Sequence, residues 1–390
     1  MKTFLLSWLL LLSAAAVAPA FAQNAVAGSE YRIETITVQG VEREAARNIV
    51  TGETRLSEGS TYDEAALEQA VYRVKRLPFV LDAAYELREG SAPGAYELVV
   101  TVETYSPVTL EVEALGAVAS GDSDVFTIGE LNARGFVGGQ GLAFGSVRKF
   151  EGGDPSAALG YTQYGLFGRG SSATVTVSRL FPEADDFEAT DAGLSVRVPV
   201  SPNNTIRAAY DWSRAEFSFF DSDFRSTTQG ATLEWIYDTT DDPILALRGT
   251  QVTGSGTFLR AKGEVGGLET GENDSLNLAA LGRHFVPLTS RQSLGFTLGV
   301  SYDEVLDIES LPSTYLYTAG IGHFANLWSS RTPGRRGDLR WENQVEYIRQ
   351  EQSFQVFGPG DEGSARISSG LVFRNRWGIV RASLSYIEDL

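Results

Sequence analysis

The chain has 390 residues, room for two or three domains, and carries 32 Lys and Arg against 50 Asp and Glu, a net charge of −18. That balance excludes nucleic acid as a partner, because binding phosphate needs a basic face. With no cysteine and only His284 and His323, the sequence excludes a disulfide framework, a thiol nucleophile and a thiolate metal site, and leaves a histidine zinc site short of ligands. The 41 glycines and 11% aromatic residues fit many short strands joined by tight turns. Past residue 22 no apolar run nears the ~20 residues that a spanning helix needs.

Met1–Ala22 reads as a secretory leader: Lys2, an apolar core over Phe4–Leu12, and the small-x-small end Ala20-Phe21-Ala22. Residues 23–30 read as a linker. Residues 31–105 read as a small α+β unit in the order β-α-α-β-β. Ile33, Ile36 and Val38 make its first strand, Glu42–Val50 a short helix, and Leu56–Tyr62 a turn. Asp63 is placed to cap a second helix whose apolar face is Ala66, Leu67, Ala70, Val71, Val74 and Leu77, ended by Pro78. Val80–Leu87 and Tyr96–Val102 are two further strands. No catalytic cluster falls in this unit.

From residue 106 to 390 the texture becomes short alternating runs. Fifteen strands are expected between Val108 and Tyr386, among them Ser293–Tyr302, Leu339–Ile348, Ser353–Phe357, Ala365–Arg374 and Ile379–Tyr386. In one, Leu294, Phe296, Leu298, Val300 and Tyr302 alternate with Gly295, Thr297, Gly299 and Ser301. In another, Leu339, Trp341, Val345 and Tyr347 alternate with Arg340, Glu342, Gln344 and Glu346. Behind a leader, this pattern predicts an antiparallel transmembrane β-barrel, apolar outside and polar inside, closed because lipid offers backbone groups no partners. A soluble sandwich or propeller has the same period, but no blade repeat is present.

Two resemblances follow. VQGVER, LSEGSTYDEAALEQAVYRVKRLPFVLDAAYEL and YELVVTVET, with Gly40, Gly59, Tyr62, Leu77 and Phe79, resemble a POTRA domain. The barrel resembles the BamA/TamA superfamily of outer-membrane assembly and translocation barrels. It does so through Asn132, Gly135, Gly138 and Gly141, through YDTTDDPILALRGT with Asp238, Asp241, Pro243 and Gly249, and through Asn343, Glu346 and Tyr347 in RWENQVEYI. The resemblance implies sixteen strands, both chain ends in the periplasm, and a bacterial outer-membrane location. It implies the lipid bilayer, unfolded or secreted client proteins and accessory lipoproteins as partners, no cofactor and no catalysis. Client insertion or translocation is the leading function; a passive pore, or a barrel like that of patatin-like phospholipases, is the alternative.

The chain departs from this family in three ways. A sixth loop is expected over Glu304–Asp338, yet it lacks the Arg-Gly-Phe/Tyr motif. The lumen contacts are therefore sought among Arg331, Arg335 and Arg336, facing Glu342 or Glu346. Arg134-Gly135-Phe136 spells the motif but falls near a turn on the periplasmic side. Fifteen strands are one short of sixteen; either one is missed, in Leu316–Leu327 or Phe217–Ser226, or the last is absent and the seam stands open. Only one POTRA-like unit is present. Two lesser candidates are a Ca²⁺ site at Asp238, Asp241 and Asp242, and a rim triad of His323 with Asp307, Glu309 and Ser313.

Overall fold

The computed structural model describes residues 30–119, 122–150, 153–181, 187–219, 222–306, 313–330, 336–352 and 360–389. The expected leader, most of the linker and the expected strand Ser353–Phe357 lie outside the described residues.

The first unit runs β1 (Glu30–Gln39), α1 (Glu44–Thr54), β2 (Thr61–Asp63), α2 (Glu64–Lys75), β3 (Val80–Glu89) and β4 (Ala95–Thr104). Its sheet order is β2-β1-β4-β3, with β1 and β4 parallel. α2 starts where Asp63 Oδ1 accepts the Ala66 N–H at 2.8 Å. Leu67, Ala70, Val71 and Val74 then bury one helical face with Ile33, Leu98 and Val100 of the sheet, about 1.5–3 kcal/mol for each large aliphatic side chain. The expected turn over Leu56–Tyr62 ends in β2, three residues paired with Glu30, Tyr31 and Arg32 and too short to show alternation.

The second unit is a ring of fifteen strands. In order these are β5 (Val108–Ala119), β6 (Asp122–Val137), β7 (Gly141–Phe150), β8 (Ser156–Tyr164) and β9 (Ser172–Leu180). Then come β10 (Phe187–Pro199), β11 (Asn204–Phe219), β12 (Ser222–Asp238), β13 (Gly249–Val265) and β14 (Leu268–Thr289). The last five are β15 (Gln292–Val305), β16 (Thr314–Ser330), β17 (Gly337–Gln352), β18 (Gly360–Asn375) and β19 (Gly378–Asp389). Sequential neighbours pair antiparallel. Hairpins reverse direction at each step, so an odd ring must join its first and last strands running the same way. β19 does pair with β5 in parallel, from Gly378↔Leu110 to Ile387↔Ala119. The seam expected to stand open is closed.

Fifteen strands were expected and fifteen are found, but they are not the same fifteen. Thr314–Ser330, inside the expected sixth loop and spanning Leu316–Leu327, one of the two places where a missed strand was sought, is β16, paired on both sides. Phe217–Ser226 is no extra strand; it is where β11 gives way to β12. Alternation holds as read. Phe296, Leu298 and Val300 of β15 point outward, Leu298 with 70% of its surface exposed, while Ser293 and Gly295 turn inward and are buried.

Candidate functional site at the barrel mouth

The end of the ring nearest the α+β unit gathers the turns β6–β7, β8–β9, β10–β11, β12–β13, β14–β15, β16–β17 and β18–β19. The β12–β13 connection, residues 239–248, is the longest of those fully described, and it crosses the mouth as a strap. Its carboxylates shape it. Asp242 Oδ1 accepts the N–H groups of Ile244 at 2.9 Å and Leu245 at 2.8 Å, and Asp241 Oδ1 those of Leu247 at 2.9 Å and Arg248 at 3.2 Å. Gly249 leaves the strap at φ +104°, where a Cβ would stand 2.4 Å from the Thr239 carbonyl oxygen.

The strap's apolar segment is received by the far wall. Arg374 of β18 donates from Nη1 to Asp242 Oδ1 at 2.8 Å and from Nη2 to Asp338 Oδ2 of β17 at 3.0 Å. Arg340 of β17 donates to the Ala246 carbonyl at 3.0 Å and lies 4.3 Å over the Phe324 ring of β16. Phe324 in turn fills space left by Gly295 and Gly322 and meets Phe285 edge-on at 5.6 Å. β17 and β18 stand four to six strands round the ring from β13 and β12, so these bonds cross the lumen rather than follow its wall. Leu245 and Ala246 are buried. Burial alone would raise the Asp242 carboxyl, but the Arg374 charge and hydrogen bond, with the two backbone N–H groups, hold it below the usual range. Burial raises Asp241.

The α+β unit docks against the same turns. Leu142 of β7 and Tyr164 of β8 belong to its core, and Phe79 meets Phe136 of β6 edge-on at 4.9 Å. The C-terminal ends of α1 and α2 face the mouth, and their arginines reach the carbonyls of the β10–β11 and β12–β13 turns. Arg73 donates to the Thr54 carbonyl at 2.6 Å and the Pro202 carbonyl at 3.2 Å; Arg55 donates to the Ser201 and Pro202 carbonyls at 3.1 Å each. Arg76 pairs with Asp238 at 2.7 Å and also donates to the Thr240 carbonyl at 2.7 Å. Arg248 bonds Tyr72 and pairs with Glu68 at 3.3 Å. Burial and the neighbouring Arg55 push Arg73 down to about 10, and burial pushes Tyr72 up to about 12. Taking the Arg73 cation out of water offsets much of what its two carbonyl bonds contribute, and Leu142, Tyr164 and Phe136 add apolar contact on the docked face. Phe79→Ala should cost about 3–5 kcal/mol and expose the link at Tyr105–Pro107 to added protease, read as faster cleavage than in the parent chain.

A cavity of about 520 Å³ lies between this unit, the strap and the inner wall beside the seam. Pro243 and Ile244 of the strap, Leu77 and Val80 of the α+β unit, and Asn132 and Ile379 of the wall face it.

The residues expected to matter land as follows. Asp238, Asp241, Pro243 and Gly249 all belong to the strap or its anchors. Asn132 lines the cavity, Gly135 pairs with Ala143, and Gly138 turns β6 into β7. The sixth loop is corrected: β16 occupies about half of it, and Arg336 sits in the turn beyond, at the mouth. Arg336 pairs with Asp82 of β3 at 2.5 Å, not with the inner wall. Arg331 and Arg335 lie outside the described residues. Glu342 pairs with Arg340 at 3.1 Å, and Glu346 with Arg366 of β18. The three aspartates do not converge: Asp238 faces Arg76, Asp242 faces Arg374, and Asp241 faces its own turn. His323 lies within β16, ten positions from Ser313 and so about 30 Å along an extended chain, which dissolves the rim triad; Asp307 and Glu309 lie outside the described residues. Arg374, Asp338 and the anchoring role of Arg340 were not foreseen. The available signal was phase: Arg340 falls in the inward set of its strand, at the mouth end.

With that geometry in hand, comparison with known proteins decides the family. The Omp85 superfamily domain matches residues 138–348, more than half of the chain. The chain belongs to the Omp85 superfamily. Among solved structures, CdiB from Escherichia coli is similar with a TM-score of 0.51 at 12% identity, covering 88% of this chain and 70% of that one. BamA from Haemophilus ducreyi lacking POTRA domains 1–3 gives 0.43 at 11% identity, covering 88% and 81%. CdiB from Acinetobacter baumannii gives 0.45 at 10% identity, covering 88% and 68%. No curated protein matches. As an Omp85 barrel the chain is consistent with a bacterial outer membrane, and its α+β unit is consistent with one POTRA domain.

Proposed function

We infer that this Omp85 barrel handles client proteins: the POTRA-like unit captures an unfolded client and the barrel inserts it into, or passes it across, the outer membrane. On this reading residues 1–22 are a removed leader, residues 31–105 stand in the periplasm, and residues 106–390 span the membrane. One observation carries it. The sheet order leaves β3 with no partner on its outer side among the described residues, and its distal half, with Ala84, Glu86 and Arg88 exposed, is open to an added strand. Its other end, at Asp82, meets the mouth through Arg336. A client strand laid on β3 is thereby led to the barrel. The strap across the mouth speaks against a standing open pore.

The test is reconstitution. Full-length protein in liposomes should speed the folding of a urea-unfolded outer-membrane barrel, and a photo-crosslinker at Glu86 or Arg88 should capture that client. Equal folding rates with empty liposomes, together with no crosslink, would end the reading.

A further inference from the structure

Four observations meet at the strap. It leaves and re-enters one wall of the ring, at Asp238 and Gly249, and is held by the opposite wall. Its apolar segment is held there by two side chains, Arg374 and Arg340, each nearly free of solvent exposure at 4% and 1%, while its two feet, Thr239 and Thr240 on one side and Arg248 on the other, also meet the α+β unit. Arg374 joins two carboxylates on different elements, Asp242 of the strap and Asp338 of β17, so it links the strap to the wall rather than merely touching it. Beside the strap lies a cavity of about 520 Å³ bounded by Pro243 and Ile244, by Arg374 itself and by Leu77 and Val80 of the α+β unit, which gives the strap adjoining space to shift into.

We propose that the strap is a gate across the barrel mouth, latched by the Arg374–Asp242 bond and by the Arg340 bond to the Ala246 carbonyl, and that breaking the latch opens the lumen to ions. The moving part is the strap's apolar segment between those two feet, and the gate does not depend on client handling. An internal turn that crosses the lumen could instead be a fixed piece of the floor. What distinguishes a gate is that its closed position hangs on the wall contact. Within the strap, Asp242 shapes the turn through Oδ1 as an acceptor of two backbone N–H groups, a role an amide oxygen fills equally well. Its charge is needed only for Arg374. Asp242→Asn therefore leaves the turn intact and weakens the latch alone.

The experiment is single-channel recording of the full chain in planar bilayers. The parent should be closed most of the time. Asp242→Asn should raise the fraction of time open by about tenfold or more, the change expected from losing one charge-assisted bond. The chain has no native cysteine. Ile244→Cys with Ile379→Cys, which face the same cavity, can thus be bridged with a short bis-methanethiosulfonate reagent, each thiol forming a reducible disulfide and releasing methanesulfinate. Bridging should silence the openings, in Asp242→Asn and in the parent alike, and reduction should restore them. A folded Asp242→Asn protein, judged by heat-modifiable mobility, with the parent's open time would overturn the proposal. So would openings that persist in the bridged chain, a result that stands even if Asp242→Asn fails to fold. A parent that conducts steadily would also overturn it.

Discussion

Gly378→Ala should prevent the ring from closing. Gly378 opens β19 and sits opposite Leu110 at the start of the parallel seam, at φ +140°. A Cβ there would stand 1.8 Å from the Leu110 carbonyl oxygen and 2.7 Å from its carbon. Neither atom belongs to a flexible side chain, so one backbone must leave. The strand pair most exposed to the loss is the parallel one, whose slanted bonds are slightly weaker per residue than antiparallel ones. The cost should be about 3 kcal/mol or more, combining a strained dihedral with backbone overlap. It would be read as loss of the compact, heat-modifiable band after refolding into liposomes. Gly135→Ala is the matched control. It also lies in a barrel strand, but a Cβ there meets nothing within 4 Å, so it should refold as the parent does.

Arg374→Met should be nearly as damaging, for an electrostatic reason. The substitution keeps the length of the side chain and removes the one cation shared by Asp242 and Asp338. Asp338 retains a hydrogen bond from the Ser329 hydroxyl at 2.7 Å, and Asp242 retains its two backbone N–H groups, but both carboxylates are left buried without a counter-charge. Breaking a buried pair from one side costs about 3–5 kcal/mol. A urea titration of the refolded barrel should show an earlier midpoint with an unchanged slope. Adding Asp338→Asn to Arg374→Met should recover part of the loss, because one of the two stranded charges disappears. Arg374→Lys should fall between, since an ammonium cannot address two carboxylates with the fixed fork of a guanidinium. If Arg374→Met unfolds at the parent's urea concentration, the bridge contributes nothing to stability.

The barrel was legible in the sequence because alternation is written residue by residue: Phe296, Leu298 and Val300 need no knowledge of their neighbours to be placed on one face. The α+β unit was legible for the same local reason, through Asp63 and the helical spacing of Leu67, Val71 and Val74. β16 was not. Its inward positions include Gly320, Gly322 and Phe324, small and aromatic rather than polar, because Phe324 packs under Arg340 at the mouth. A strand with apolar residues on both faces and glycines between them loses its period and reads as loop. The parallel seam follows from an odd strand count, and it went unread because fifteen was taken as one short of an even sixteen rather than as a ring that closes in parallel. The strap was half visible. YDTTDDP and the following Arg-Gly marked a special turn, but the partner of Asp242 lies 132 positions further on, at Arg374, and nothing local joins the two.

The strap also has a mechanical meaning. A thin-walled tube resists bending along its length far better than it resists being squeezed out of round. A tie fixed to opposite walls changes that at the level where it runs. β12 and β13 are bound to β17 and β18, and β18 is separated from the seam only by β19. The wall beside the weakest strand pair is therefore braced against the wall facing it, at one end of the tube alone. The braced end should keep its cross-section while the other end breathes, so any widening of the seam should begin at Ser385–Ile387 and travel toward Gly378.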